Sequence, residues 1–210
     1  MFHVFSKNKR FASVIVLAIL VALYLFIQYI VIGADAAEFV IDKLSRMTLQ
    51  DVWYMILYLH IITGIIAMST GWIQFIHTLR KRSVHLHRAI GYLYSCTVLL
   101  SSIAGLYLAY YATGGWISTV GFMLLSVSWL YTLLQALYAI IIKKKQELHQ
   151  AWMYRNYALT FAAVTLRIYI PISMLLFGMN NFDMYYRAIA WLCWVPNLIV
   201  IEWFIRKKLR

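Results

Sequence analysis

The sequence predicts an all-α membrane protein, a bundle of six transmembrane helices with both termini in the cytoplasm. Three observations predict it. The 210-residue chain is 64% apolar and only 12% charged, where a soluble domain averages about half apolar and about a quarter charged. The apolar residues fall in runs of about 20 or more, the length that crosses a bilayer, with short charged stretches between them. The basic residues gather on alternate loops. Of 19 Lys and Arg, 15 lie at the N-terminus, at 80–88, at 143–155 and at 206–210. With the N-terminus inside, all four clusters are cytoplasmic. Five of the seven acids (Asp35, Glu38, Asp42, Asp51, Asp183) take the other side. This is the positive-inside pattern, and no loop violates it.

The six spans are expected at 11–32, 52–78, 89–112, 117–142, 152–177 and 185–205. They form one transmembrane domain, 11–205, between a basic N-terminus (1–10) and a basic tail (206–210), with no room for a soluble domain. The first run follows Lys7, Lys9 and Arg10, and Ala34-Asp35-Ala36 has the look of a cleavage site. A signal h-region is about 7–15 residues, however, so the longer run here reads as an uncleaved anchor. The formal charge of +12 does not point to nucleic acid. The clusters border the spans, where anionic lipid headgroups are the expected partner. In the longest loop, 33–50, Val40, Leu44 and Met47 recur at helical spacing between charged residues, which predicts a short interfacial helix. Cys96 and Cys193 fall near opposite leaflets, too far apart for a disulfide, and read as small packing residues.

Three spans carry polar stripes. A helix turns about 100° per residue, so on span five Asn156, Thr160 and Arg167 return to within about 20° of the His149 direction. From His60 on span two, Gly64, Ala67, Gly71, Gln74 and Thr78 stay within about 40° of one line, and His77 falls about 100° off it. Span three repeats the design with His87, Gly91, Tyr94, Ser101 and Gly105. Small residues on such a face are ordinary helix-packing seams, and that explanation suffices for the glycines. It does not cover His60 and Arg167. By helical rise, His60 lies about 14 Å and Arg167 about 15 Å below the outer boundary. An arginine at that depth costs at least about 2.5 kcal/mol facing lipid, and both residues lie on stripes expected to face the bundle. Pro171 removes the donor that would pair with the Arg167 carbonyl and is expected to kink span five there. Pro196 and Asn197 are expected to break span six at a similar depth. Arg167 then either serves a polar ligand pocket with His60, Gln74, Asn156 and Asn197, or caps freed carbonyls together with Asn197. A second polar level gathers His77, His87, His149 and Gln74 at the cytoplasmic ends of their helices, with His85 in the loop.

The blocks HIITG (60–64), GWIQF (71–75), HRAIGYLY (87–94), HQAWMYRNYALTFAAVTLRIYIP (149–171) and AWLCWVPNLIVIE (190–202) resemble the bacterial integral membrane proteins grouped as domain of unknown function 2306. The resemblance covers residues 55–202 and implies a bacterial plasma-membrane location. Where that family's block reads His-Arg, this chain has His149-Gln150, which weakens any role for a cation at 150. The family name supplies no reaction.

Three function classes fit these residues. The first is a haem b electron-transfer protein, with His87 and His149 as axial ligands and Arg88 beside the propionates. A quinone head would then meet His60 and Arg167. Two stacked haems do not fit, because His60 and His77 point about 100° apart. The second is a non-enzymatic role in small-molecule or lipid transport, or in membrane assembly, built on the broken helices and buried arginine. The third is a metal-dependent membrane enzyme using His77, His87 and His149 as ligands with a fourth position open, although the chain has no HExxH sequence.

Overall fold

The structure is a computed structural model describing residues 9–178 and 181–209, so Lys7 and Arg210 of the basic termini lie outside the described residues. Its regular structure is entirely helical, with ten α-helices among the described residues. Six stretches are long and apolar enough to cross a membrane: Phe11–Ile32, Asp51–Phe75, Val84–Tyr110, Trp116–Ile141, Gln146–Phe177 and Phe182–Lys207. Each buries only 22–39% of its most apolar 18-residue window inside the protein. Most of that apolar surface is therefore left for lipid, as a bilayer allows and water does not.

The chain divides into two compact units, residues 1–101 and 102–210. In the first, α1 (Lys9–Phe26) continues as a π-helical stretch, Ile27–Ile32, that ends at Gly33. Gly33 has φ +110°, a conformation open to glycine at little cost. A single 3-10 turn then leads into α2 (Glu38–Arg46). The helix predicted in this loop exists, but its buried face differs. Val40 is buried, whereas Leu44 and Met47 are exposed and Met47 lies beyond the helix end.

α3 (Asp51–Gly71) packs on α1 through small side chains, with Ala18 and Ala67 both fully buried. Span two was expected to run to 78. Instead α3 stops at Gly71, tightens into a 3-10 turn over Trp72–Phe75 and leaves helical geometry at Ile76. His77 opens a separate short helix, α4 (His77–Arg82), so Gln74 and Thr78 are not on α3's stripe. α5 (Val84–Tyr110) begins earlier than its apolar run and takes His85, expected in a loop, into its first turn. The reason is Ser83, whose hydroxyl accepts from the Leu86 amide at 3.2 Å, an N-cap that starts the helix among polar residues.

The second unit holds the rest of α5, then α6 (Trp116–Ile141), α7 (Gln146–Thr160), α8 (Ala162–Phe177), α9 (Phe182–Leu192) and α10 (Val195–Leu209). α6 packs against α7 and α9, and α10 against α7. The approach of α9 to α6 is close. A Cβ at Gly121 would sit 3.0–3.2 Å from Trp191 Nε1 and Ala190, so only glycine fits without displacement. Span five breaks at Phe161, and Pro171 lies inside α8. Thr160 and Thr165 flank the break, and the Thr160 hydroxyl donates back to the Asn156 backbone oxygen one turn earlier. Such back-bonding competes with the helix ladder and bends it. Span six breaks between Leu192 and Val195, and Pro196 takes the first turn of α10, where its missing N–H costs nothing. Of the two cysteines, both free, Cys193 is buried in packing as expected; Cys96 is exposed.

Candidate functional site

A polar seam runs between α6 and α7. His149 Nδ1 lies 2.8 Å from the carbonyl oxygen of Ala136. A carbonyl only accepts, so Nδ1 carries the proton and, in the neutral ring, the lone pair is on Nε2. Two turns on, Asn156 is fully buried, and its amide nitrogen donates to Trp129 O at 2.8 Å and Thr132 Oγ1 at 2.9 Å. Thr160 Oγ1 accepts from Trp129 Nε1 at 3.0 Å. The stripe of His149, Asn156 and Thr160 thus faces a neighbouring helix. Its counterpart on α6 escaped the sequence reading. Trp129, Thr132 and Ala136 recur at spacings of three and four, a helical face that an apolar count hides.

Arg167 lies beyond the Phe161 break, on α8, and is half-buried, with a terminal guanidinium nitrogen donating to Ala163 O at 3.1 Å. Asn197 donates to Ala158 O at 3.3 Å, Thr165 Oγ1 at 3.3 Å and Cys193 O at 3.0 Å. Thr165 itself donates to the Cys193 carbonyl. Asn197 and Thr165 therefore join the two broken spans by serving carbonyls close to the breaks. An ion pair absent from the sequence reading ties α7 to α10. Arg155 Nε and a terminal nitrogen reach Glu202 Oε2 at 2.9 and 2.8 Å, and the guanidinium stacks 4.6 Å above Trp152. The signal was available, since Glu202 is an acid within a predicted span.

In the first unit, His60 faces α5 near mid-span. His60 Nδ1 lies 2.9 Å from Ser101 O, and Ser101 Oγ donates to His60 O at 3.0 Å. The two helices exchange hydrogen bonds at one level, and the carbonyl fixes the same tautomer as at His149. Gly64, one turn on, also faces Ser101, and a Cβ there would lie 3.6 Å from Ser101 Oγ, an ordinary contact distance. Gln74 lies beside Gly91 on α5, about 4 Å from where a Cβ would stand, and its amide nitrogen is buried without a hydrogen-bond partner. His87 precedes Gly91 by one helical turn and is half-buried, whereas Arg88 is exposed. His77 is half-buried at the start of α4. Among the described residues, no group of three or more His, Cys, Asp or Glu is placed to hold a metal ion.

Comparison with known proteins decides the family. Residues 57–205 match the model of domain of unknown function 2306, described as a predicted membrane protein. The chain belongs to this family. No curated protein and no solved structure matches it. The family match covers spans two to six, the stretch that carries both backbone-anchored histidines, and agrees with the multi-pass helical architecture.

Proposed function

We propose that this member of the family is a haem b electron-transfer protein of the bacterial plasma membrane, with His149 as an axial ligand. The observation that carries the reading is the bond from His149 Nδ1 to Ala136 O. Proteins commonly present a metal-ligating histidine in this way. One ring nitrogen donates to a backbone carbonyl, which fixes the ring and leaves the lone pair on the other. A ring held this way could present Nε2 to a haem iron. The sequence offers His87 as the second ligand and Arg88 as the cation for a propionate. Haem, when bound, supplies a one-electron iron couple. A membrane quinone is the proposed redox partner. His60, in its fixed tautomer, and Arg167 are groups able to hydrogen-bond a quinone oxygen within the bilayer.

The test is an absorption spectrum of protein purified in mild detergent from cells supplied with ample haem. A Soret band with sharp reduced α and β bands, lost or shifted in His149→Ala and in His87→Ala, is the expected result. A blank spectrum sinks the reading. Binding or transport of a small molecule or lipid is then the alternative, favoured by the breaks in spans five and six. Mass spectrometry of copurifying lipids, compared between wild type and Arg167→Leu, tests it. An unchanged lipid profile would count against that alternative.

A further inference from the structure

The surface of α2 divides into three sectors. Taking about 100° per residue, Val40 and Lys43 share one arc and are 0% and 2% exposed, so that arc packs into the first unit. Ile41 and Leu44 lie on the next arc and are 52% and 46% exposed. Glu38, Asp42, Ser45 and Arg46 fill the third, where Arg46 pairs with Asp42 at 3.0 Å. A helix on a water-facing surface needs two sectors, one inward and one polar. The apolar middle sector calls for another medium.

We infer that α2 lies in the membrane plane with Ile41 and Leu44 inserted among lipid at the headgroup–acyl boundary of one leaflet. Its attachment at both ends supports this occupant. Residues 33–50 connect two membrane spans, which keeps both ends of the α2 segment at the boundary. The neighbouring span ends expose apolar residues of the same kind, Val31 and Ile32 before α2 and Val52 and Met55 after it, all about half exposed or more. The apolar sector of α2 thus continues a surface that already faces acyl chains. Its third sector keeps a carboxylate and an ion pair toward water, the division that interfacial helices show. The inserted edge differs from the one the residue spacing suggested. Val40 is spent on the protein, and Ile41 takes its place.

The wild-type protein in phosphatidylcholine vesicles tests this without substitutions. A hydrocarbon-soluble diazirine and a water-soluble one are photolysed in parallel, and adducts are located by mass spectrometry. The lipid-phase probe is expected to modify Ile41 and Leu44 and to spare Glu38 and Ser45, with the reverse for the aqueous probe. Val31 and Met55 serve as lipid-phase references in the same sample. Aqueous labelling of Ile41 and Leu44 overturns the inference by placing α2 in water. Absence of label from both probes overturns it too, because a second protein surface would then cover that edge.

Discussion

At Asn156 the amide nitrogen of a buried side chain donates to a backbone carbonyl and a hydroxyl of α6. Such bonds across membrane helices contribute modestly, since a chain unfolded within the bilayer also finds partners. Asn156→Ala is therefore expected to lower the thermal midpoint in detergent by an amount equivalent to about 1 kcal/mol, and an unchanged midpoint would remove Asn156 from the seam's energetics. Lys43 gives a prediction of opposite origin. Burial pushes its ammonium down from 10.5 to about 8; the neighbouring Asp42 works against this and Arg46 adds to it. Below pH 8 both folded and unfolded chains hold the proton, and the penalty of burying the charge is present in full. Between about 8 and 10.5 the unfolded chain binds more protons, so stability rises with pH. Thermal midpoints measured from pH 7 to 10.5 should show this rise in wild type and lack it in Lys43→Met. Equal pH profiles would disprove the assignment. The Asn156 seam was legible from its offsets to His149, because a stripe of polar residues in an apolar helix has to face protein. The burial of Lys43 was not, because a lysine in a loop reads as solvated until the helix carrying it is seen to turn that face inward.

At the scale of elements, apolar length located all six spans, since a bilayer sets a minimum that few other structures need. The interruptions were harder to read. Pro196 announced the break in span six because a proline in the first turn of a helix has a fixed structural consequence. Pro171 lies inside α8, and the break at Phe161 follows Thr160, whose hydroxyl donates back to Asn156 O, a position that no single residue type announces. The Arg155–Glu202 link between α7 and α10 was hidden for another reason. Each partner is a charge at a span edge, and only the fold brings them within 2.8 Å. Their side chains are 20% and 35% exposed, so removing one leaves the other poorly solvated. Glu202→Gln is expected to destabilise by on the order of 2 kcal/mol. Replacing both, as Arg155→Met with Glu202→Met, should cost less than Glu202→Met alone, because no unpaired charge remains. Detergent thermal unfolding of wild type, Arg155→Met, Glu202→Met and the double variant gives the comparison, and additive losses would show that the pair contributes no coupling.

For the whole molecule, orientation follows from charge placement, and the structure accounts for the cations that run against it. Lys43 and Arg46, on α2, and Arg187, in the first half of α9, are assigned to the outer side. Each is held locally: Arg46 pairs with Asp42 at 3.0 Å, Arg187 Nε donates to Gly114 O at 2.8 Å, and Lys43 is buried over the Phe39 ring. The cations at 80–88, 143–145 and 206–207 cluster instead at the opposite ends of the spans, where Arg82, Arg88 and Lys143–Lys145 are exposed to interact with headgroups. Since membrane insertion counts Lys and Arg in short loops and gives acids little weight, the four basic clusters outvote the three scattered cations. Both termini are therefore expected in the cytoplasm. In a bacterial host, green fluorescent protein fused after residue 144 or at the C-terminus should fluoresce, and alkaline phosphatase should be active only in fusions within 33–50, 112–115 or the loop between spans five and six. An active phosphatase at the C-terminus would reverse the orientation. It would also carry His149 and the basic clusters to the outer face.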